Sequence, residues 1–145
     1  MTKQSFEKSL TANDTGESGT HQAGIHIPKR EYELIQFLPY LDPAVKNPDA
    51  WIDFWDDFGR SWKFRYIYYN NKLHDKTGTR NEYRLTHTTR FFQSVGARSG
   101  DTLTLTKCDA TGRYLISVAS PVPEVSDCEV RGSTSVRLRG WRRVH

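Results

Sequence analysis

A run of alternating aromatic residues constrains the fold of this 145-residue chain more than any other feature. Between residues 62 and 69, the rings of Trp62, Phe64, Tyr66 and Tyr68 alternate with Lys63, Arg65, Ile67 and Tyr69. Because successive side chains of a β-strand point to opposite faces, this period of two predicts a strand with four large rings on one face. Rings of this size normally lie in a core, so we expect a central strand of a β-rich domain.

Other segments complete the predicted architecture. Strands are predicted at residues 4–11, Gly24–Pro28, Trp51–Phe58, Glu82–Thr86, Asp101–Thr106 and Tyr114–Val118. Helices are predicted at Lys29–Leu38 and Thr88–Val95, and polar loops at Ala12–Gln22 and Asn70–Asn81. About seven short strands and two short helices predict an α+β, β-rich barrel in a single domain over residues 1–145. Residues 136–145 are expected to hold a closing strand at Val136–Leu138 and a linker to another domain.

The charge is divided unevenly along the chain. Residues 1–60 carry six Lys or Arg against ten Asp or Glu, a net charge of −4. Residues 61–145 carry fifteen against seven, a net charge of +8. A basic second half predicts a face that attracts polyanions, although a basic solvated surface would have the same composition.

Membrane insertion and secretion find no support in the sequence. No apolar run is long enough for a membrane span, and the N-terminus has no apolar signal core. Cys108 and Cys128 lack C-x-x-C spacing, so we expect both to be reduced structural residues in a cytoplasmic protein.

Catalysis by this chain is not expected. Acids cluster at Asp53, Asp56 and Asp57, but no Glu-x-Lys pair follows on a plausible strand to complete a Mg²⁺ site. The five histidines have no H-x-x-x-H spacing, and no glycine-rich phosphate loop occurs. We therefore expect no catalytic residue, metal or cofactor, with a Mg²⁺-dependent nuclease at the three aspartates as the alternative.

The segment from Lys76 to Arg84 has side chains suited to base edges in a DNA major groove. Arg80 matches the two acceptors of guanine, Asn81 matches adenine, and Glu82 accepts from the cytosine amino group, with Arg84 two residues further on. A solvated polar turn is the alternative for this segment. Phosphate contacts are predicted from Lys63, Arg65, Lys72, Lys76, Arg90 and Arg98, with the C-terminal arginines 137, 139, 142 and 143 as further candidates. If the aromatic stripe were exposed, it would instead suit stacking of single-stranded nucleic acid.

Two motifs resemble the N-terminal effector-binding domain of EcoRII-type restriction endonucleases. Residues 12–28 (ANDTGESGTHQAGIHIP) are similar to its first motif. Ile67-Tyr68-Tyr69-Asn70, followed by Thr79-Arg80-Asn81-Glu82 and Arg84-Leu85-Thr86, is similar to its second. The strand Thr102–Leu105 fits a third, weaker block, so the resemblance covers roughly residues 8–118.

This resemblance implies a DNA-binding pseudobarrel, the fold of plant B3-type domains, that grips duplex DNA with two arms. It implies a short CC- and GG-containing target such as CCWGG, read by His21, Gln22, Arg80, Asn81, Glu82 and Arg84. It also implies a monomeric domain attached to a separate, Mg²⁺-dependent nuclease domain in a bacterial cytoplasmic enzyme. Further backbone contacts are expected from Thr20, His26, Lys29 and Thr79. Thr20, His26 and Gly78 replace the glycine, tyrosine and lysine common at these positions.

Overall fold

One sheet organises the molecule. The computed structural model describes residues 3–16, 24–121 and 140–144. In this part of the chain the strands are β1 (Lys3–Ser9), β2 (Ile25–Ile27), β3 (Asp49–Trp55), β4 (Ser61–Tyr69), β5 (Glu82–Thr86), β6 (Thr102–Cys108), β7 (Tyr114–Ala119) and β8 (Trp141–Arg143). The helices are α1 (Ala12–Thr15), α2 (Tyr32–Phe37), α3 (Asn71–His74) and α4 (Thr89–Val95).

The strands follow the order β2-β5-β4-β3-β7-β6-β1-β8. Neighbouring strands are antiparallel except β3 and β7, which run parallel. The predicted aromatic strand is β4, which pairs with β3 on one side and with β5 on the other. The expectation of a β-rich fold is confirmed, and β4 lies inside the sheet as its pattern predicted.

The inner face of the sheet forms the core. On β4 the rings of Phe64, Tyr66 and Tyr68 are no more than 5% exposed, so the aromatic stripe faces inward. Phe54 of β3 packs on Phe64 with ring centroids 5.2 Å apart, and Phe91 of α4 covers the same ring from 6.0 Å. Burial of each such side chain stabilises the fold by about 1.5–3 kcal/mol.

The sheet curls until its two edge strands approach each other. The Trp141 indole N–H of β8 donates to the carbonyl of His26 on β2, at 3.4 Å. Trp141 is only 7% exposed and belongs to the core. This contact brings together the first and last strands of the order, and so gives the sheet the shape of an incompletely closed barrel.

Some sequence predictions need correction. The predicted loop Ala12–Gln22 begins with α1, because Thr11 and Asp14 form a capping box in which each side chain accepts from the other's backbone N–H. The predicted loop Asn70–Asn81 contains α3. Both helices are single turns, too short for a periodic pattern. The predicted closing strand Val136–Leu138 lies outside the described residues, whereas β8 pairs with β1.

Candidate nucleic-acid interface

Three charged side chains of the second predicted arm, residues 76–84, form one cluster. Arg80 Nη2 donates to Glu82 Oε2 at 2.6 Å, and Arg84 Nε donates to the same oxygen at 3.0 Å. Glu82 and Arg84 lie two residues apart on β5 and therefore share its outer face. The cluster thus presents two guanidinium groups around one carboxylate.

The two arginines keep Glu82 ionised. Burial raises the pKa of the Glu82 carboxyl, but hydrogen bonds from Arg80 and Arg84 and their positive charges outweigh burial, so the net pKa is lowered. A carboxylate in this state can only accept hydrogen bonds. It therefore suits a donor such as the amino group of cytosine.

Tyr69 and Asn71 hold Arg80 in place. The guanidinium carbon of Arg80 lies 3.7 Å from the centroid of the Tyr69 ring, which is a cation–π contact. The Arg80 backbone N–H donates to Asn71 Oδ1 at 2.8 Å, and its carbonyl accepts from the backbone N–H of Lys72 at 3.0 Å. Helix α3 therefore serves as a platform against which the arm is fixed.

Asn81 is oriented toward the core rather than toward the cluster. The Tyr68 hydroxyl donates to Asn81 Oδ1 at 2.5 Å. The Tyr68 ring is itself fixed by stacking on Tyr83, with ring centroids 4.2 Å apart. The amide oxygen that adenine recognition requires thus already accepts one hydrogen bond, and the contact makes Asn81 a link between arm and core.

Close packing against α3 explains why position 78 is a glycine. A Cβ atom there would lie 2.1 Å from the carbonyl oxygen of Asn71, so the arm backbone passes directly against α3. The lysine common at this position in the resembling family does not fit this approach. Lys76 is exposed on the same loop.

The first predicted arm, residues 15–22, precedes β2, which lies beside this cluster. Gly24 approaches β5 so closely that a Cβ would lie 2.7 Å from the Leu85 carbonyl, and its φ of +106° favours glycine. His26 of β2 pairs in register with Arg84 and shares its outer face. Thr20, His21 and Gln22 lie outside the described residues, so their roles remain predictions.

His26 lines a groove that contains three basic side chains and the Asp14 carboxylate, which pairs with Lys8. The groove has a volume of about 360 Å³, and Lys8, Arg30 and Arg84 contribute to its lining. Burial lowers the pKa of the His26 imidazole, and the charges of Arg84, Arg30 and Lys8 lower it further against an opposing effect of Glu82. Burial is thus the main cause of the lowered pKa, and the basic side chains nearby add to it.

Most of the chain matches a known family. Residues 2–114 match the family described as restriction endonuclease EcoRII, N-terminal. The chain belongs to the EcoRII N-terminal domain family. It is 26% identical over 132 residues to the B3 domain-containing transcription repressor VAL1 of Arabidopsis thaliana; the match covers 90% of this chain and 15% of that protein. A chain of the Arabidopsis FUS3–DNA complex has the same fold, with a TM-score of 0.59 at 23% identity, over 79% of this chain and 94% of that one.

The family assignment and the fold confirm the resemblance drawn from residues 12–28 and 67–86. The eight-stranded curled sheet is the expected pseudobarrel. Within the part of the chain that the structure describes, no helix is long and apolar enough to cross a membrane.

The predicted phosphate contacts are spread over several elements. Lys63 and Arg65 lie on the outer face of β4 but pair with Asp53 at 3.6 Å and with Asp49 at 2.6 Å. Their positive charge is therefore partly neutralised within the sheet, which the sequence did not indicate. The others are exposed on three further parts of the chain: Lys29 after β2, Lys72, Lys76 and Thr79 on or after α3, and Arg90 and Arg98 on or after α4.

The residues of the two alternative functions have other roles in the fold. Asp56 accepts hydrogen bonds within the β3–β4 turn, and Asp53 pairs with Lys63. Within the described ranges, no group of three or more His, Cys, Asp or Glu side chains could hold a metal ion. Three of the four rings of the aromatic stripe, Phe64, Tyr66 and Tyr68, are buried and are therefore not exposed for stacking of single strands.

Proposed function

We propose that this chain is the DNA-recognition domain of a restriction endonuclease and that it binds duplex DNA through the outer face of β2 and β5. Membership of the EcoRII N-terminal family supports this proposal, as does similarity to a B3 transcription repressor. The fold shared with a protein solved as a DNA complex agrees with it. The observation that carries it is the cluster of Arg80, Glu82 and Arg84 beside His26.

The chemistry of the cluster suits a G·C pair in the major groove. An arginine offers two donors to O6 and N7 of guanine, while a carboxylate accepts from N4 of the paired cytosine. Arg80 and Glu82 are already held together, so little side-chain entropy is lost on binding. We assign them the CC/GG part of a CCWGG-like target, with Arg84 in support.

The remaining parts of the proposal concern the rest of the interface. His21 and Gln22 of the first arm would read bases from the other side of the groove. Thr20, His26 and the exposed basic residues would contact phosphates. A separate nuclease domain would supply Mg²⁺-dependent cleavage in the bacterial cytoplasm, while this domain binds as a monomer without a cofactor.

Binding-site selection on random duplexes, followed by fluorescence anisotropy, tests the proposal. We expect enrichment of CC/GG-containing sites and unchanged binding in the presence of a metal chelator. Arg80→Ala is expected to weaken binding to the selected site by about 1–3 kcal/mol while random DNA is much less affected. Arg113→Ala removes the same charge before β7, three strands away from β5, and serves as the control. Equal losses of selected and random DNA with Arg80→Ala would contradict base reading.

A further inference from the structure

The two oxygens of the Glu82 carboxylate have different surroundings. Oε2 accepts from Arg80 Nη2 at 2.6 Å and from Arg84 Nε at 3.0 Å. Oε1 accepts no hydrogen bond from the part of the chain that the structure describes. Among the same residues, the Tyr66 hydroxyl oxygen is the only buried side-chain nitrogen or oxygen without a partner, so Oε1 is not buried. One oxygen is therefore occupied within the fold, while the other is open to solvent.

The two arginines determine which oxygen faces outward. Each oxygen of a carboxylate accepts about two hydrogen bonds, so Oε2 has no room for a further donor. The Arg84 side chain is only 14% exposed, and the guanidinium group of Arg80 lies against the Tyr69 ring, so packing holds both donors. The orientation of the carboxylate follows from these contacts. Oε1 is the acceptor that remains for a ligand.

An acceptor held in this way distinguishes bases by their donors. In the major groove the amino groups of cytosine and adenine donate, whereas O6 and N7 of guanine and O4 of thymine accept. Against the effect of burial, hydrogen bonds from Arg80 and Arg84 lower the pKa of Glu82, so the carboxylate is ionised and cannot donate. Arg80 beside it presents donors. The pair therefore complements the order acceptor, acceptor, donor along the edge of a G·C pair.

The amino group of a paired cytosine has one hydrogen available to a protein. Of the two hydrogens on N4, one pairs with guanine and the other faces the major groove. Methylation of N4 in an intact base pair puts a methyl group in place of the hydrogen in the groove. Glu82 Oε1 would then lose its donor and be desolvated against an apolar group, which is costly for an ionised oxygen. The guanine acceptors that Arg80 requires are unchanged by this modification.

We propose that Glu82 Oε1 reads the free N4 amino group of a target cytosine, and that the domain thereby selects duplex DNA that is unmethylated at this nitrogen. Arg80 and Arg84 position that oxygen by occupying the other one. The inference rests on the proposed function, because it takes Glu82 to face a G·C pair in the major groove. The ligand class is thus narrower than duplex DNA with a CC/GG-containing site, since it includes the modification state of one cytosine.

Fluorescence anisotropy with the selected duplex tests this selection, with N4-methylcytosine placed at one cytosine of the site at a time. We expect one of these substitutions to weaken binding about tenfold, the size expected for loss of a hydrogen bond to a charged group. In Glu82→Ala the methylated and unmethylated duplexes should bind equally; low salt keeps weak variants measurable through their phosphate contacts. Glu33→Ala removes an exposed carboxylate of α2 that pairs with Arg143, and this control should keep the full ratio.

Glu82→Gln tests which of the two oxygens is the reader. Arg80 and Arg84 require an acceptor, so the amide oxygen should take the place of Oε2 and the amide nitrogen that of Oε1. Because this nitrogen donates, Glu82→Gln is expected to lose the discrimination against N4-methylcytosine. In binding-site selection it should prefer a base with an acceptor at this position. Retention of the parent chain's ratio by Glu82→Gln would overturn the inference.

Two further outcomes would also contradict it. One is equal binding of the methylated and unmethylated duplexes by the parent chain, which leaves the proposed function standing as long as the selected site binds more tightly than random DNA. The other is an unchanged ratio in Glu82→Ala, since the methyl group would then act through the DNA rather than through this oxygen. If the parent chain binds selected and random duplexes equally, the proposed function itself fails. Circular dichroism confirms that each variant is folded.

Discussion

The side chains that touch DNA in our proposal are held in place by one another and by residues outside the interface. Arg80 is the clearest case, because the Tyr69 ring lies under its guanidinium group while Glu82 accepts from one of its nitrogens. Asn71 meanwhile fixes its backbone. The side chain of an arginine held in this way is already ordered before DNA binds. Little further rotamer entropy is therefore lost when it meets a base edge.

Replacement of Tyr69 tests this positioning. Tyr69→Leu removes the ring beneath Arg80 and is expected to weaken binding to the selected duplex by about 1 kcal/mol, with random DNA affected less. Tyr69→Phe keeps the ring and should retain wild-type discrimination. The measurement is the ratio of the two dissociation constants. If Tyr69→Phe loses as much discrimination as Tyr69→Leu, the hydroxyl rather than the ring is responsible.

The buried hydroxyl of Tyr66 allows a second prediction for a single residue, this time about stability. Burial, together with the neighbouring Tyr83 and Tyr114, raises the pKa of Tyr66, whose hydroxyl has no hydrogen-bond partner among the residues that the structure describes. Tyr66→Phe removes an unsatisfied polar group and should raise the free energy of unfolding by about 1 kcal/mol. Tyr114→Phe is the matched control, since its hydroxyl donates to the Phe37 carbonyl at 2.6 Å and its loss should destabilise. Urea unfolding measures both, and destabilisation by Tyr66→Phe would contradict the prediction.

Among the elements, the β3–β4 hairpin depends on one carboxylate. Asp56 Oδ1 accepts from the backbone N–H groups of Phe58 and Arg60, and Oδ2 accepts from the Trp62 indole at 2.9 Å. The Arg60 guanidinium also donates to Oδ2 at 3.1 Å. Because this turn sets the pairing of β3 with β4, it also sets which residues of both strands reach the outer face.

Because Asp56 holds this hairpin, protonation of its carboxylate should lower the free energy of unfolding at acid pH. Burial of Asp56 opposes ionisation, but hydrogen bonds from Trp62, Arg60 and Phe58 and the charge of Arg60 outweigh it and lower the pKa from 3.8 to about 2. A lowered acid pKa means that Asp56 contributes fully above about pH 4 and loses its contribution as the pH falls toward 2. Asp56→Asn should therefore lose less stability over this range than wild type, as measured by urea midpoints at pH 2–7. Asp57→Asn, an exposed neighbour, should follow the wild-type profile; identical profiles for Asp56→Asn and wild type would contradict the assignment.

At the scale of the whole molecule, the proposed interface depends on how the sheet curls. β2 is a three-residue edge strand that carries His26, and its only strand partner within the described ranges is β5. The indole of Trp141, from the opposite edge strand, reaches the His26 carbonyl. The two ends of the sheet are thereby joined beside the cluster of Arg80, Glu82 and Arg84.

Loss of this closure should affect both stability and binding. Trp141→Ala is expected to cost about 3–5 kcal/mol of unfolding free energy through the cavity that it leaves. Trp141→Phe should cost less, because a ring still fills the site while the hydrogen bond to His26 is lost. Urea unfolding and duplex anisotropy measure the two effects. Trp51→Ala, which removes an exposed tryptophan, should leave stability nearly unchanged; a similar loss in both alanine variants would argue against a closing role for Trp141.

Local patterns were sufficient to predict much of this molecule. The alternation at residues 62–69 required a strand with a buried face, because side-chain direction in a strand has a period of two. The motifs around Arg80, Asn81, Glu82 and Arg84 indicated the family that the chain belongs to. The base-reading role of these residues stays a prediction. These inferences concern neighbours along the chain, whose geometry the backbone dictates.

Contacts between distant segments lay beyond such patterns. Folding pairs Lys63 with Asp53 and Arg65 with Asp49, so two predicted phosphate contacts are already engaged. It also turns the Asn81 oxygen toward Tyr68, removes room for a side chain at Gly78, and sets His87 against Trp51. These features depend on register, sheet curvature and steric approach between residues far apart in sequence, which no single segment encodes.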